Sequence, residues 1–264
     1  MRVAVLADIH GNLPALDAVL GEVLATGVDA IVLNGDLADG PLPAETLDRL
    51  EEVGDRAIWV RGNGDRWLAE AFDGTYRPAG GPADTLITWG ATQITRAHRD
   101  RLASLPMTVT ADIEGLGPVM FCHATARDDN EMILVDSPME QYEEAFAVRG
   151  AAPARGAASG PPPQTIVVGH SHMPFDRLAH RRRIVNPGSV GMPYGHDGAA
   201  WALLGPDVVL RRTRYDTQAA AAMLAASTMP DIEEFVARNV RTTPGDAEAL
   251  AVFTKVAQEQ RPST

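Results

Sequence analysis

Residues 3–34 read VAVLADIHGNLPALDAVLGEVLATGVDAIVLN, and the spacing of their apolar side chains decides the fold class. Val3–Leu6 is a short β-branched run that predicts a strand. Leu13, Leu16, Val19, Leu20, Val23 and Leu24 then recur at helical spacing across Leu13–Ala25. Asn12 stands where an N-cap is needed, Pro14 in the first turn and Gly27 just past the end. Ala30–Leu33 is again strand-like. Strand, helix and strand in immediate succession argue for an α/β fold.

Outward from this unit the alternation continues, with a helical pattern over Pro43–Glu52 and a strand over Ala57–Val60. Further strands are expected at Val119–Cys122, Thr165–Val168, Arg183–Val185, Ala200–Leu204 and Val208–Arg212. The last three are near enough in sequence to pair as antiparallel neighbours. The expected architecture is α/β, a two-sheet β-sandwich flanked by helices and carrying a C-terminal helical extension. Residues 150–163, GAAPARGAASGPPP, are too rich in small residues and proline for a packed element and read as a flexible surface loop within a domain of residues 1–214. Beyond Tyr215 the chain turns alanine-rich. Met223, Leu224, Ile232, Phe235, Val236, Leu250, Phe253 and Val256 there predict helices, residues 215–264, packed on the same domain.

Composition narrows the function. With 35 acidic against 23 basic side chains the formal net charge is −12, which argues against a general affinity for nucleic acid or anionic membrane. No apolar stretch reaches the roughly 20 residues of a membrane span. A single cysteine, Cys122, cannot form an internal disulfide, and the opening residues do not resemble a secretory signal, so a cytoplasmic location is expected.

The predicted strands run into clusters of metal-ligating residue types: DIHGN at 8–12, NGDLADG at 34–40, RGNGD at 61–65, CH at 122–123 and GHSHMP at 169–174. Ligands of α/β proteins bind at the carboxyl ends of strands. Four of the seven histidines fall in these fragments. A lone aspartate before a turn is commonly a cap, and a lone histidine an ordinary surface or core residue. Five loops converging would instead supply two carboxylates, an amide oxygen and four imidazoles, an inventory suited to two metal ions. Mixed nitrogen and oxygen donors favour manganese, iron, nickel, cobalt or zinc over magnesium or calcium. Two divalent ions less two aspartates leave a local charge of about +2, which would draw a phosphate to an otherwise acidic chain. There is no P-loop, no HExxH, and GSVG at 188–191 is not a nucleophile elbow; Ser189 reads as a turn residue.

The order D-x-H, G-D-x-x-D, G-N-x-D, H, G-H-x-H, followed by NPGSVG at 186–191, resembles the calcineurin-like metallophosphoesterase superfamily from Met1 to about Leu204. The likeness is greatest to its small bacterial and archaeal phosphodiesterases and its diadenosine tetraphosphatase-like branch. The resemblance implies that Asp8, His10 and His172 hold one divalent transition-metal ion, that Asn63, His123 and His170 hold the other, and that Asp36 bridges them. Asp36, Asn63 and His123 are the ligands it casts as catalytic. It implies hydrolysis of small phosphate esters, including nucleotides, through a metal-bridging hydroxide with no protein nucleophile. Phosphomonoester or phosphoprotein hydrolysis, or a non-catalytic metal-bound interaction module, are the alternatives. Asn12, Asp39, Asp65 and Arg127 are candidates for orienting ligands or touching substrate.

One position departs from the pattern. Where the superfamily's G-N-H-D/E carries a histidine expected to protonate the leaving group, this chain has Gly64. General-acid help is worth about 10²–10⁴ in rate, so good leaving groups are expected to be preferred. His196 is a possible substitute donor; His180 reads as a hairpin tip and His98 as part of a polar helix.

Overall fold

The structure is a computed structural model, and it describes residues 1–146 and 163–260. The expected loop at 150–163 lies, apart from Pro163, outside these residues.

Val3–Leu6 (β1) is buried at every position, the pattern of a strand covered on both faces rather than one open to solvent. It pairs in parallel with Ala30–Asn34 (β2), which pairs in parallel with Ala57–Val60 (β3). On its other side β1 meets Ala199–Leu204 (β9) antiparallel, and β9 meets Val208–Thr213 (β10), so the first sheet runs β10-β9-β1-β2-β3. The second sheet is also built around three parallel strands. Gly117–Cys122 (β5), Thr165–Val167 (β6) and Arg182–Asn186 (β8) are parallel, flanked by antiparallel Thr108–Ile113 (β4) and Phe175–Ala179 (β7), in the order β4-β5-β6-β8-β7.

This arrangement corrects one expectation. Of the last three predicted strands, only β9 and β10 pair with each other; β8 belongs to the second sheet, between β6 and β7. Proximity in sequence misleads here because the chain crosses from one sheet to the other through residues 187–198. Strands β4 and β7 are additions to the expected set. In β7, Leu178 faces solvent at 71% exposure, so no clean alternation marks this edge strand.

Between the sheets lie Val3, Val5, Val32 and Val60 from one side and Val119, Phe121, Val167 and Val185 from the other. The outer face of the first sheet is covered by Leu13–Ala25 (α1), Pro43–Glu51 (α2), Asn63–Phe72 (α3), Pro82–Gln93 (α4) and Arg96–Ala103 (α5), whose Leu16, Val19, Leu47, Leu68, Ile87 and Leu102 pack with Leu6, Leu33 and Trp201. Asn12 caps α1 as expected, its Oδ1 accepting from the Ala15 N–H at 3.3 Å. The second sheet packs Met120, Ile166 and Ile184 against Tyr142, from Met139–Ala145 (α6), and Phe146. Cys122 is fully buried there, and burial pushes its thiol pKa up.

After β10 come Thr217–Leu224 (α7), Ile232–Val236 (α8) continuing into a π-helical turn at Ala237–Arg241, and Asp246–Glu259 (α9). Leu224, Phe235 and Val240 pack on Leu42, Leu86 and Trp89. Leu250, Phe253 and Val256 of α9 pack on Met132, Leu134 and Met173. Among the described residues no helix is long and apolar enough to cross a membrane.

Candidate metal centre

The parallel strands of both sheets end at one edge. Asp8 and His10 follow β1, Asp36 follows β2, Asn63 follows β3, His123 follows β5, and His170 and His172 follow β6. Five of these seven residues hold left-handed backbone: Asp8 (φ 55°), His10 (47°), Asp36 (51°), His170 (64°) and His172 (58°). Such conformations cost side-chain-bearing residues on the order of 1–3 kcal/mol each and persist only where the surroundings over-determine them. The surroundings do so here. The Asp8, His10 and Gly11 N–H groups donate to the Gly35, Asp36 and Leu37 carbonyls at 3.0–3.1 Å, locking the first two loops together. Asp65 accepts from the backbone N–H groups of Asp36 (3.0 Å), Leu37 (3.0 Å) and Gly62 (2.8 Å), tying the second loop to the third. Asn186, at the end of β8, donates to the Gly169 carbonyl at 2.7 Å, and Ser189 Oγ donates to the Asp8 carbonyl at 2.7 Å.

These constraints gather the ligand atoms into groups that each fit within 4.8 Å: Asp8 with His10 and His172, Asp36 with His123 and His170, and His10 with Asp36 and Asp39. Asp36 Oδ2 lies 3.2 Å from His123 Nε2 and 3.9 Å from His10 Nε2, so it faces both of the first two groups. Asp8 Oδ1 is 3.3 Å from His172 Nε2.

The rings are oriented from behind. His123 Nδ1 donates to the Asn34 carbonyl at 2.9 Å and His172 Nδ1 to the Met192 carbonyl at 3.0 Å. A carbonyl can only accept, so each Nδ1 carries a proton and Nε2 is the nitrogen turned inward. His10 Nδ1 meets the Asp39 carboxylate at 3.0 Å. Inside the centre, His10 Nε2 and His172 Nε2 face each other at 3.0 Å; the buried Nε2 of His170 has no hydrogen-bond partner among the described residues. One end of the Asn63 amide lies 3.0 Å from His170 Nδ1 and 3.3 Å from His123 Nε2. As nitrogen it would donate to them; as oxygen it faces acceptors that only a cation reconciles. Imidazole nitrogens and carboxylates turned towards each other in a largely buried site are the donor set a divalent ion requires, and the residues present fit such ions.

Electrostatics agree. Burial opposes charge on His10, yet Asp39, Asp36 and Asp8 together push its pKa up to about 10. Burial likewise opposes, and Asp36 and Asp8 overcome it, for His123, also pushed up to about 10. The centre therefore favours positive charge strongly, whether a proton or a metal ion supplies it. His170, pressed by burial and by His123, falls to about 4. Burial, with the Asp36 charge, raises Asp65 to about 7.

The four other predicted residues separate. Asn12 donates from its amide to the Gly191 carbonyl at 3.0 Å, Asp39 holds His10, and Asp65 pins the ligand loops. Arg127 does not join them: its guanidinium is taken by Glu131 at 2.6 Å, and none of its hydrogen bonds or ion pairs reaches a ligand side chain. The arginines that do support the centre, Arg61 and Arg66, escape a reading of the sequence. Both grip the buried Asp129 carboxylate, at 2.9 and 2.8 Å, and the Asp129 carbonyl lies 3.1 Å from the Asn63 amide. In the run ARDDNE nothing distinguishes Asp129 from exposed Asp128.

Gly64 is the second residue of α3, so its backbone is ordinary helix; the obstacle to a side chain is steric. A Cβ there would come within 2.5 Å of the Asp39 carboxylate. The volume beside Asn63 is filled by Asp39. His196 is exposed.

Comparison with known proteins gives this geometry a family. The model of the calcineurin-like phosphoesterase superfamily domain matches residues 1–207. The chain is 26% identical over 253 residues to an uncharacterized protein of Methanocaldococcus jannaschii, covering 87% of this chain and 94% of that one. It is 24% identical over 219 residues to the phosphodiesterase YfcE of Escherichia coli, covering 79% and 90%. The crystal structure of a metallophosphoesterase from Sphaerobacter thermophilus superposes with a TM-score of 0.68 at 25% identity, covering 90% of this chain and 98% of that one. The chain belongs to the calcineurin-like phosphoesterase superfamily.

Proposed function

We propose that this calcineurin-like phosphoesterase is a phosphoric ester hydrolase working with two divalent transition-metal ions on small phosphodiesters or related esters and anhydrides. The observation that carries the reading is the meeting of inward-facing imidazole nitrogens and carboxylates in two groups with Asp36 turned towards both. Asp8, His10 and His172 would hold one ion, Asn63, His123 and His170 the other, and Asp36 would bridge. Bound there, the two ions would supply Lewis acidity towards the phosphoryl oxygens and an acidified water for in-line attack.

The chain's own residues do the positioning. Asn34 and Met192 carbonyls and the Asp39 carboxylate hold three rings so that Nε2 faces inward. Asp65 holds the Asp36 loop, and the Gly64 N–H donates to Asp36 Oδ1 at 2.7 Å, fixing the carboxylate's other oxygen towards the two groups. No imidazole stands at position 64 to protonate a leaving group, which favours aryl esters, nucleotide diesters and anhydrides over alkyl monoesters. The test is elemental analysis beside hydrolysis of bis(p-nitrophenyl) phosphate. About two ions per chain, activity lost to a chelator and regained with manganese or zinc, is the expected result. Full activity without bound metal would overturn it.

A further inference from the structure

The superfamily match ends at residue 207, yet the chain beyond it returns to the metal centre. Helix α9 is fastened to the loop that follows His123: Gln260 Oε1 accepts from the Met132 N–H at 2.7 Å and Gln260 Nε2 donates to the Asn130 carbonyl at 2.7 Å. Its apolar face covers Met132, Leu134 and Met173, the last adjacent in sequence to His172. This seating brings Phe253 to 6.4 Å, ring to ring, from His172. Tyr194, in the loop between β8 and β9, stacks on the His172 ring at 5.6 Å and 24°, and Phe253 meets Tyr194 edge-on at 5.8 Å and 72°.

Neither ring is fully buried. A pair that served only to shield His172 would bury its outer surface as well, as Trp201 and Tyr142 do in the core. Resting on the phosphoesterase reading, we propose that Tyr194 and Phe253 form the subsite for the organic group of the substrate, and that this group is an aromatic ring, an aryl or nucleobase moiety. Tyr194 is preordered by stacking on the His172 imidazole and Phe253 by its edge-on contact with Tyr194, so a flat group attached to the bound phosphate meets them at little entropic cost. Aliphatic esters gain only apolar contact.

Full-length, zinc-loaded protein and two non-hydrolysable probes, phenylphosphonate and methylphosphonate, test this by calorimetry. The phenyl compound is expected to bind roughly tenfold more tightly, with cross-relaxation between its ring protons and those of Tyr194 and Phe253 in the unsubstituted protein. Phe253→Leu should bring the preference below about threefold at matched zinc content, and Phe253→Tyr should restore it. Equal binding of both probes to the wild type, no ring-to-ring cross-relaxation, or an undiminished preference in Phe253→Leu would each overturn the subsite and leave the metal centre standing. Failure of zinc-loaded protein to bind either phosphonate would instead strike the phosphoesterase reading itself.

Discussion

The two halves of the candidate metal centre share carboxylate and imidazole donors but are braced differently. In the group of Asp8, His10 and His172, His10 leans on the charged Asp39, and His172 on the Met192 carbonyl with Tyr194 stacked behind it. In the group of Asp36, His123 and His170, His123 leans on the neutral Asn34 carbonyl. Asn63 lies there beside Asp129, whose carboxylate is paired with Arg61 and Arg66. A carboxylate behind an imidazole makes it a more basic ligand than a carbonyl does. The first half is thus tuned by an unshared charge at its rear, the second by geometry, and substitutions behind the two should have different consequences.

Asp36 belongs to both halves, and changing it erases the difference. Asp36→Asn should empty both positions and lower turnover by about 10³-fold or more, on the scale of losing a principal electrostatic contributor. His180→Ala, at the exposed β7–β8 turn, should leave metal content and rate as they were. Equal losses in the two variants would mean that the centre lies elsewhere.

Asp39→Asn separates the halves. It should weaken one ion about 10–100-fold while the other stays, so that elemental analysis at limiting metal falls towards one ion per chain. Gly64→Ala should reproduce this without removing a polar group, because its Cβ would displace the Asp39 carboxylate. Loss of the second ion instead, or of neither, breaks the proposed division of labour.

The smallest effect is expected behind the second half and should appear as pH dependence. Burial works against the Asp129 charge, but Arg66 and Arg61 prevail and hold its carboxyl below the usual range. A depressed carboxylate pKa contributes stability above the unfolded value, near 3.8, and that contribution is lost as pH falls through the folded value. Asp129→Asn should therefore cost about 1–3 kcal/mol at neutral pH, with the difference from wild type shrinking below pH 4 in thermal melts. A difference constant from pH 7 to 3 would show that the pairs to Arg61 and Arg66 are not its source.

Much of the centre and of the first sheet is legible in the order of the residues. The helix after DIHGN is marked by spacing, cap and punctuation, and the apolar runs of β1, β2 and β3 could hardly be anything but buried strands. The seven candidate ligands stand out because metal-binding types gather directly after strand-like runs. Harder to see are the residues acting at second hand. Asn34 orients His123 with its backbone carbonyl, a group every residue has, and Asp129 is one acid among several in a charged run. Arg127 attracts attention by sitting close to His123 in sequence, yet Glu131, one helical turn's spacing away, takes its charge.

Periodicity and residue type, both local properties, are enough to specify an α/β chain whose strands end in loops of metal-ligating residue types. Which strands share a sheet is beyond local reading: β8 lies next to β6 rather than β9, and that pairing brings Asn186 and the 187–198 crossing back over the Asp8 loop. The side of each imidazole that faces inward, the filling of the space at Gly64 by Asp39, and the return of α9 to His172 depend on groups 20 to 160 residues apart in the chain. Contacts at that separation leave no periodic trace in a sequence, because each partner need only be right in type and the fold alone brings them together.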